Sequence, residues 1–449
     1  MSKPREGFAT KLGVIAAATG SAVGLGNIWR FPYVTGTNGG GAFISVYLLC
    51  IIFVGLPALI SAYVIGRRAQ KNAIGAFKFL APKSKWYLFG VLGLIGTFLV
   101  LAFYSQVAGW TLQYIFFALK NTFQGLNSTG TQNLYNTFIH SGTMPIVWQV
   151  IFIILTGLIV LAGVQNGIEK YSKILMPVLV IILIIMDIKA LTLPDFHEGY
   201  KFLFKPDFSK IDKQVIINAM GQGFFTLSVG LGTMLIYGSY IKKKDHLIST
   251  SVQVAFYNTI ISILAGLAIF PAVFSYGISP SSGSGLAFIT LPSVFQDMTG
   301  GYIFALLFFI LLGIAALTST ISMLETIVGY FTEELHDNRR KVTLIITLII
   351  IIISIPTGLS VTGALANFKV FGYDLFDAFN FLVSNIIMPI GGLSFLLFVG
   401  WYMKKKDVRD ELSSGGRFKA PWFNFIYYII KFLSPILVII VFLSGLGII

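Results

Sequence analysis

The chain reads as an all-α polytopic membrane protein, eleven transmembrane helices in one bundle with the first and sixth broken. Three observations predict this. The 449 residues are 56% hydrophobic and only 11% charged, with mean hydropathy +0.83, a balance that would leave large apolar patches on a water-soluble protein. Apolar runs of about 20 residues, enough to cross about 30 Å of hydrocarbon, recur along the whole sequence. A glycine cluster, VGLG, stands at 23–26 and again at 229–232, inside two of those runs.

The first run, 12–36, starts too near a charged N-terminus and extends too far for a cleaved signal peptide, so it is expected to stay as a span. Spans follow at 42–66, 88–117, 146–164 and 171–189. The sixth, 214–240, carries the second glycine cluster, and 247–277, 302–331, 342–358, 373–402 and 422–448 complete the set. Lys and Arg gather in alternate loops: Arg67, Arg68, Lys71 and Lys78; Lys242, Lys243 and Lys244; Arg339, Arg340 and Lys341; Lys404, Lys405, Lys406 and Arg409. The positive-inside rule makes these loops and the N-terminus cytoplasmic, and an odd number of spans puts the C-terminus outside the cell membrane. The net charge of +14 is then mostly topological bias facing the anionic headgroups of the lipid bilayer, and needs no nucleic acid.

Among the outer loops, 278–300 is apolar and glycine-rich enough (GISPSSGSGLAF) to fold back into an outer opening. Asn127-Ser-Thr matches a glycosylation pattern, a short match of little weight. Cys50, the single cysteine, lies in a span, and His140, His197, His246 and His336 are scattered without ligand spacing. With no metal cluster, P-loop or nucleophile elbow, neither ATP-driven transport nor enzymatic chemistry has support. No obligatory protein partner is evident.

Inside a bilayer, unwound backbone is tolerated only where it is buried in protein or lines a polar cavity. Glycines 20, 24 and 26, with Asn27 and Pro32, predict an interruption in the first span; Gly221, Gly223, Gly230 and Gly232 predict one in the sixth. Either cluster alone fits close helix packing equally well. Interruptions at corresponding places in two halves point instead to the binding site of an inverted-repeat transporter. There, freed carbonyls attract small cations and half-helix N-termini attract a carboxylate. The nearby side chains are neutral oxygen donors, Asn27, Thr226, Ser228, Asn258, Thr318, Ser319 and Thr320, the ligand type hard cations prefer. Each hydroxyl alone would serve its own helix backbone, so only the set is informative. Arg30, a charge within a span, is a functional candidate by default.

SAVGLGNIWRFPYV at 21–34, NGGGAF at 38–43, GQGFFTLSVGLG at 221–232, ITLPSVF at 289–295 and ALTSTIS at 316–322 resemble the neurotransmitter:sodium symporters, which include bacterial leucine, tyrosine and tryptophan transporters. The likeness runs from about residue 5 to the end. It implies one transporter domain over 1–449, a five-plus-five inverted repeat at about 12–189 and 214–402, and an extra helix at 422–448.

The resemblance further implies two sodium sites. One uses the Ala22 carbonyl, Asn27, Thr226, Asn258 and the substrate carboxylate; the other uses the carbonyls of Gly20, Val23 and Ala315 with Thr318 and Ser319. The carboxylate would also meet amides near Gly24 and Gly26 and the Tyr104 hydroxyl. The ammonium would meet carbonyls of Ala22, Phe225 and Thr226. Val100, Val107, Phe225, Leu231 and Met323, with Ser228 beside them, would line a side-chain pocket without charge, which suits a neutral substrate because an unpaired buried charge is costly.

In the family the arginine matching Arg30 pairs with an acid in the tenth span, for which Asp377 and Asn380 are the candidates here. Arg5 and Glu333, near Ser239 and Tyr240, match an inner gate. Ala62 and Ser262 stand where relatives carry acids. Tyr47, Gln222, Thr226, Asn258 and Ser262 resemble the chloride-binding set of animal relatives, so chloride is expected to offset the charge of two sodium ions; Glu325 is the rival source. The implied function is sodium-coupled import, by alternating access, of a neutral hydrophobic amino acid, aliphatic or aromatic. The alternative is a membrane receptor or regulator that binds an amino acid without moving it.

Overall fold

The computed structural model describes residues 7–277, 283–365 and 367–448. Nine helices among them are long and apolar enough to cross a membrane: Gly41–Ala69, Tyr87–Leu119, Met144–Leu161, Val164–Ala190, Leu247–Ser275, Gly301–Leu335, Arg339–Val361, Leu375–Tyr402 and Phe423–Gly445. One bent pair of helices is long and apolar enough to make a tenth, and a second pair stands where the sixth span is expected. Lys11–Ala22 and Gly26–Thr37 meet at 53°, and Lys213–Thr226 and Gly232–Tyr240 flank an irregular stretch. Counted as one span each, the two broken pairs bring the total to the eleven expected, with the breaks in the first and sixth.

The third span, Tyr87–Leu119, and the eighth, Gly301–Leu335, are the longest, at 33 and 35 residues. At 1.5 Å per residue each measures about 50 Å, so both tilt or project beyond the hydrocarbon. Against this framework lie the broken helices. The second span runs along the sixth at backbone contact: a Cβ on Gly66 would fall 2.0 Å from the Leu235 carbonyl oxygen, the small-residue packing that lets membrane helices approach.

The end of the bundle bearing the basic loops is tied down by charge. Arg67, fully buried at the end of the second span, holds Glu411 on the short helix Lys405–Ser413, with Nε 2.8 Å from Oε2. Arg67 also donates to the carbonyls of Asp245, at 2.9 Å, and of Glu411, while Ser414 Oγ donates to Asp245 at 2.8 Å. At the same end Glu169 of the fifth span accepts the amides of Ala9 and Thr10 and the Lys173 ammonium, capping the start of the first span.

At the opposite end Phe288 is buried against Tyr114, Trp110 and Trp29, so the described part of the 278–300 loop does fold inward. Asn127 accepts the Gly130 amide at 2.8 Å and caps the helix Ser128–Ile139, a structural use for the side chain of the glycosylation-like triplet.

Candidate functional site

The first helix stops at Ala22 because Val23 turns extended, with φ −82° and ψ 106°. Chain direction resumes through a π-helical turn, Gly26–Arg30, and then Phe31–Thr37. In the sixth span the break runs from Leu227 to Leu231, with Ser228 at φ 50° and Gly230 at φ 95°. The left-handed position at 230 also needs a hydrogen for a side chain: a Cβ there would sit 2.1 Å from the Met388 carbonyl oxygen. Side chains repair the freed backbone groups. Asn27 Oδ1 accepts from Gly24 N at 3.1 Å, the Tyr104 hydroxyl accepts from Leu25 N at 2.8 Å, and Gln222 Nε2 donates to the Gly26 carbonyl at 2.8 Å.

Between the breaks lies a small cavity. Ala22, Gly24, Gly26, Val100, Tyr104, Phe225, Thr226, Ser228, Leu231, Ser319 and Met323 all face it, together with Met388. Backbone polar groups and the hydroxyls of Tyr104 and Ser319 stand among aliphatic and aromatic side chains, and no lining residue is charged. Val107, expected here, is buried but does not line the cavity. Met388 was not anticipated, because nothing in the tenth span's apolar run marks one residue over its neighbours.

Two groups of oxygens adjoin the cavity. In one, the hydroxyls of Thr318 and Ser319 both lie 3.4 Å from the Val23 carbonyl, Thr318 is 3.1 Å from that of Ala315, and Gly20 packs against Thr318. In the other, one end of the Asn258 amide lies 3.1 Å from the Thr226 carbonyl and 3.2 Å from that of Ala22, with the Asn27 amide 2.8 Å away. Turned oxygen-inward, that amide puts three acceptors around one point, which a cation stabilises; turned nitrogen-inward, it donates to both carbonyls. The first set is neutral oxygen throughout and fits a hard monovalent cation; in the second the Ala22, Thr226 and Asn258 oxygens fit one, while Asn27 faces the cluster with Nδ2 and holds its Oδ1 on Gly24 N.

The groups compared with a chloride set share this second cluster. The Tyr47 hydroxyl is 3.3 Å from Thr226 Oγ1, and Ser262 Oγ receives Asn27 Nδ2 at 2.8 Å while donating to the Asn258 carbonyl at 3.1 Å. Gln222, whose amide nitrogen is on Gly26, leaves its buried Oε1 without a partner. Glu325 is engaged elsewhere. It is fully buried, paired with Arg339 through both oxygens, and accepts the Tyr240 hydroxyl at 2.7 Å.

The expected outer partner of Arg30 is corrected. Asp377 is exposed, one turn into the tenth span, where its amide is capped by Asp374 at 2.8 Å, and Asn380 accepts from Ser384. Neither reaches Arg30, which instead stacks over Phe225 at 4.6 Å, with one guanidinium nitrogen buried and unpartnered. Arg30 and Phe225 both line a second cavity whose lining includes Ser384 and Asn385. The physical reason is position along the helix: 380 and 377 stand one and two turns before 384, and it is 384 and 385 that line the cavity with the arginine. At the basic end Arg5 lies outside the described residues. Glu333 accepts the backbone and side-chain N–H of Asn72 at 2.9 and 2.7 Å, and Phe8 packs edge-on against Tyr237 and Tyr240.

Comparison with known proteins agrees with this architecture. The model of the sodium:neurotransmitter symporter family matches residues 5–138 and 129–448. The chain is 40% identical to the uncharacterized sodium-dependent transporter YhdH of Bacillus subtilis (strain 168), covering 98% of both proteins. It is 37% identical to an uncharacterized sodium-dependent transporter of Haemophilus influenzae, covering 99% of both. Among solved structures, the crystal structure of MhsT in complex with L-phenylalanine superposes with a TM-score of 0.90 at 43% identity, over 98% of this chain and all of that one. With near-complete coverage and both helix breaks in place, this chain belongs to the sodium:neurotransmitter symporter family and is a multi-pass, sodium-dependent transporter.

Proposed function

We propose that the protein imports a neutral hydrophobic amino acid, aliphatic or aromatic, together with two sodium ions. The observation that carries this reading is the uncharged cavity between the two breaks, polar at its backbone edge and apolar elsewhere. The L-phenylalanine named with MhsT supports an amino-acid substrate. In this reading amides near Gly24 and Gly26 and the Tyr104 hydroxyl receive the carboxylate, while carbonyls of Ala22, Phe225 and Thr226 receive the ammonium. One sodium occupies the Ala22, Asn27, Thr226 and Asn258 oxygens, touching the carboxylate. The other occupies those of Gly20, Val23, Ala315, Thr318 and Ser319. An ion that shares a ligand with the amino acid couples the two binding events directly.

Spans one, two, six and seven, drawn from both inverted repeats (about 12–189 and 214–402), rock against the rest of the bundle, with the N-terminus cytoplasmic and the C-terminus outside. Arg30 and Phe225 close the outer side; Arg5, Glu333 and Tyr240 close the inner one. Moving one charge inward is worth about 2.3 kcal/mol per 100 mV. Because Glu325 is committed to Arg339 and Tyr240, chloride at Tyr47, Gln222, Thr226, Asn258 and Ser262 balances the two cations.

The test is uptake of a labelled amino-acid mixture into proteoliposomes under an inward sodium gradient, with potassium replacing sodium, and with gluconate replacing chloride. Uptake is expected only with sodium and is expected to fall in gluconate. Sodium-dependent binding without uptake would instead establish a receptor. In the same assay Thr318→Val, which keeps the shape and loses the hydroxyl, is expected to raise the sodium concentration for half-maximal uptake about tenfold, the worth of one polar ligand at about 1–1.5 kcal/mol. An unchanged sodium dependence would remove Thr318 from the site.

A further inference from the structure

Met388 lines two cavities at once, the one between the breaks and the one beside Arg30. Among the residues lining either, it shares that position with Phe225 alone. The pair is therefore the partition between the two spaces. Its halves are held differently. Phe225 is pinned by the Arg30 guanidinium stacked 4.6 Å from its ring centre. Met388 is an unbranched thioether with three rotatable bonds, a side chain that fills irregular space and yields readily.

The backbone of Met388, by contrast, is fixed. It follows the π-helical turn Leu382–Ile387 and precedes Pro389, and such turns are frequent at functional sites. Its carbonyl is pressed onto the broken segment of the sixth span, 2.1 Å from where a Gly230 side chain would begin. A Cβ on Gly391, one turn later, would lie 2.0 Å from the Gly230 carbonyl. A rigid anchor thus carries a pliable side chain on a residue that is 3% exposed and borders one cavity on each side.

We propose that Met388 sets the range of amino-acid side chains the transporter accepts. Extended into the inner cavity, it completes the pocket around a small aliphatic side chain. Withdrawn toward the cavity beside Arg30, it vacates room for an aromatic ring without opening the site to water, because Phe225 stays in place. This inference rests on the amino-acid reading of the cavity.

The experiment measures sodium-dependent equilibrium binding of L-valine, L-leucine, L-phenylalanine and L-tryptophan to the purified full chain, wild type first. Met388→Ala is expected to shift the tryptophan-to-valine affinity ratio about tenfold toward tryptophan, and Met388→Phe about tenfold toward valine, the scale of a change in pocket size by a methylene or more. Met388→Leu, which conserves volume, serves if either variant fails to fold, and is expected to narrow the range by weakening tryptophan relative to leucine. Affinities that fall together, or ratios that stay within twofold of wild type in every folded variant, overturn the role of Met388. A wild-type protein that binds none of the four overturns the amino-acid reading itself, before any variant is made.

Discussion

Gly24→Ala is expected to lower sodium-dependent amino-acid uptake by about ten- to a hundredfold while leaving the protein folded. A Cβ at Gly24 would fall 2.4 Å from Ser319 Oγ and 2.6 Å from the Tyr104 hydroxyl. Both groups face the cavity, and Ser319 also faces the Val23 carbonyl at 3.4 Å. Relief requires one of them to move, at the roughly 1–3 kcal/mol typical of overpacking. Either movement withdraws a group from the proposed amino-acid or sodium contacts. The methyl would itself take up space in the cavity.

The fold survives because Gly24 is not among the residues with positive φ, and alanine adopts its backbone without strain. Gly230 offers the contrast, since alanine there meets both a φ of 95° and backbone at 2.1 Å. Uptake into proteoliposomes and elution as a single monodisperse peak in detergent separate the two effects. Gly24→Ala uptake within twofold of wild type would show that the cavity is not the transport site.

Much of this architecture was legible because a bilayer imposes simple rules on a sequence. Span count followed from apolar run length, and the breaks from glycines that a lipid-facing helix has no use for. Eleven of the twelve residues lining the cavity could be named because they cluster around those breaks or lie within or no more than a turn from the recognisable FYSQVAGW and ALTSTIS stretches. The tenth span was harder. Its π-helical turn, Leu382–Ile387, changes which residues face inward by a fraction of a turn, and a periodicity argument at 3.6 residues per turn has no means of seeing that. Hence Met388, just past that turn, was overlooked; Asp377 and Asn380 came from the family resemblance, and the cavity with Arg30 is lined instead by Ser384 and Asn385. The Arg67–Glu411 pair was illegible for another reason. A charge run at a membrane surface is ordinarily solvated, and only packing across 344 residues buries this one.

Glu411→Ala is expected to destabilise the protein by about 3–5 kcal/mol, the usual consequence of leaving one partner of a buried ion pair uncompensated. Arg67 is fully buried, its partner's side chain is 4% exposed, and the guanidinium also holds the carbonyls of Glu411 and Asp245. Arg68 does not substitute for it. That side chain is 27% exposed and divided among Asp407, Asp410 and Glu411, the setting in which a surface pair contributes under about 1 kcal/mol. Arg68→Ala should therefore cost far less, and a difference in thermal unfolding between the two variants in detergent measures the contrast. Arg67→Met should cost about as much as Glu411→Ala, and the double variant less than their sum, because a single pair is lost once. Strict additivity would mean that the two residues act independently and that the 2.8 Å contact contributes nothing. The placement matters for movement as well. Arg67 ends the second span, Asp245 follows the sixth, and Glu411 follows the tenth, so the pair fastens two spans that rock in the proposed transport cycle onto a segment beyond them. A variant that loses the pair yet keeps its packing should shift the balance between inward-facing and outward-facing states, readable as altered accessibility of a cysteine placed near Tyr240.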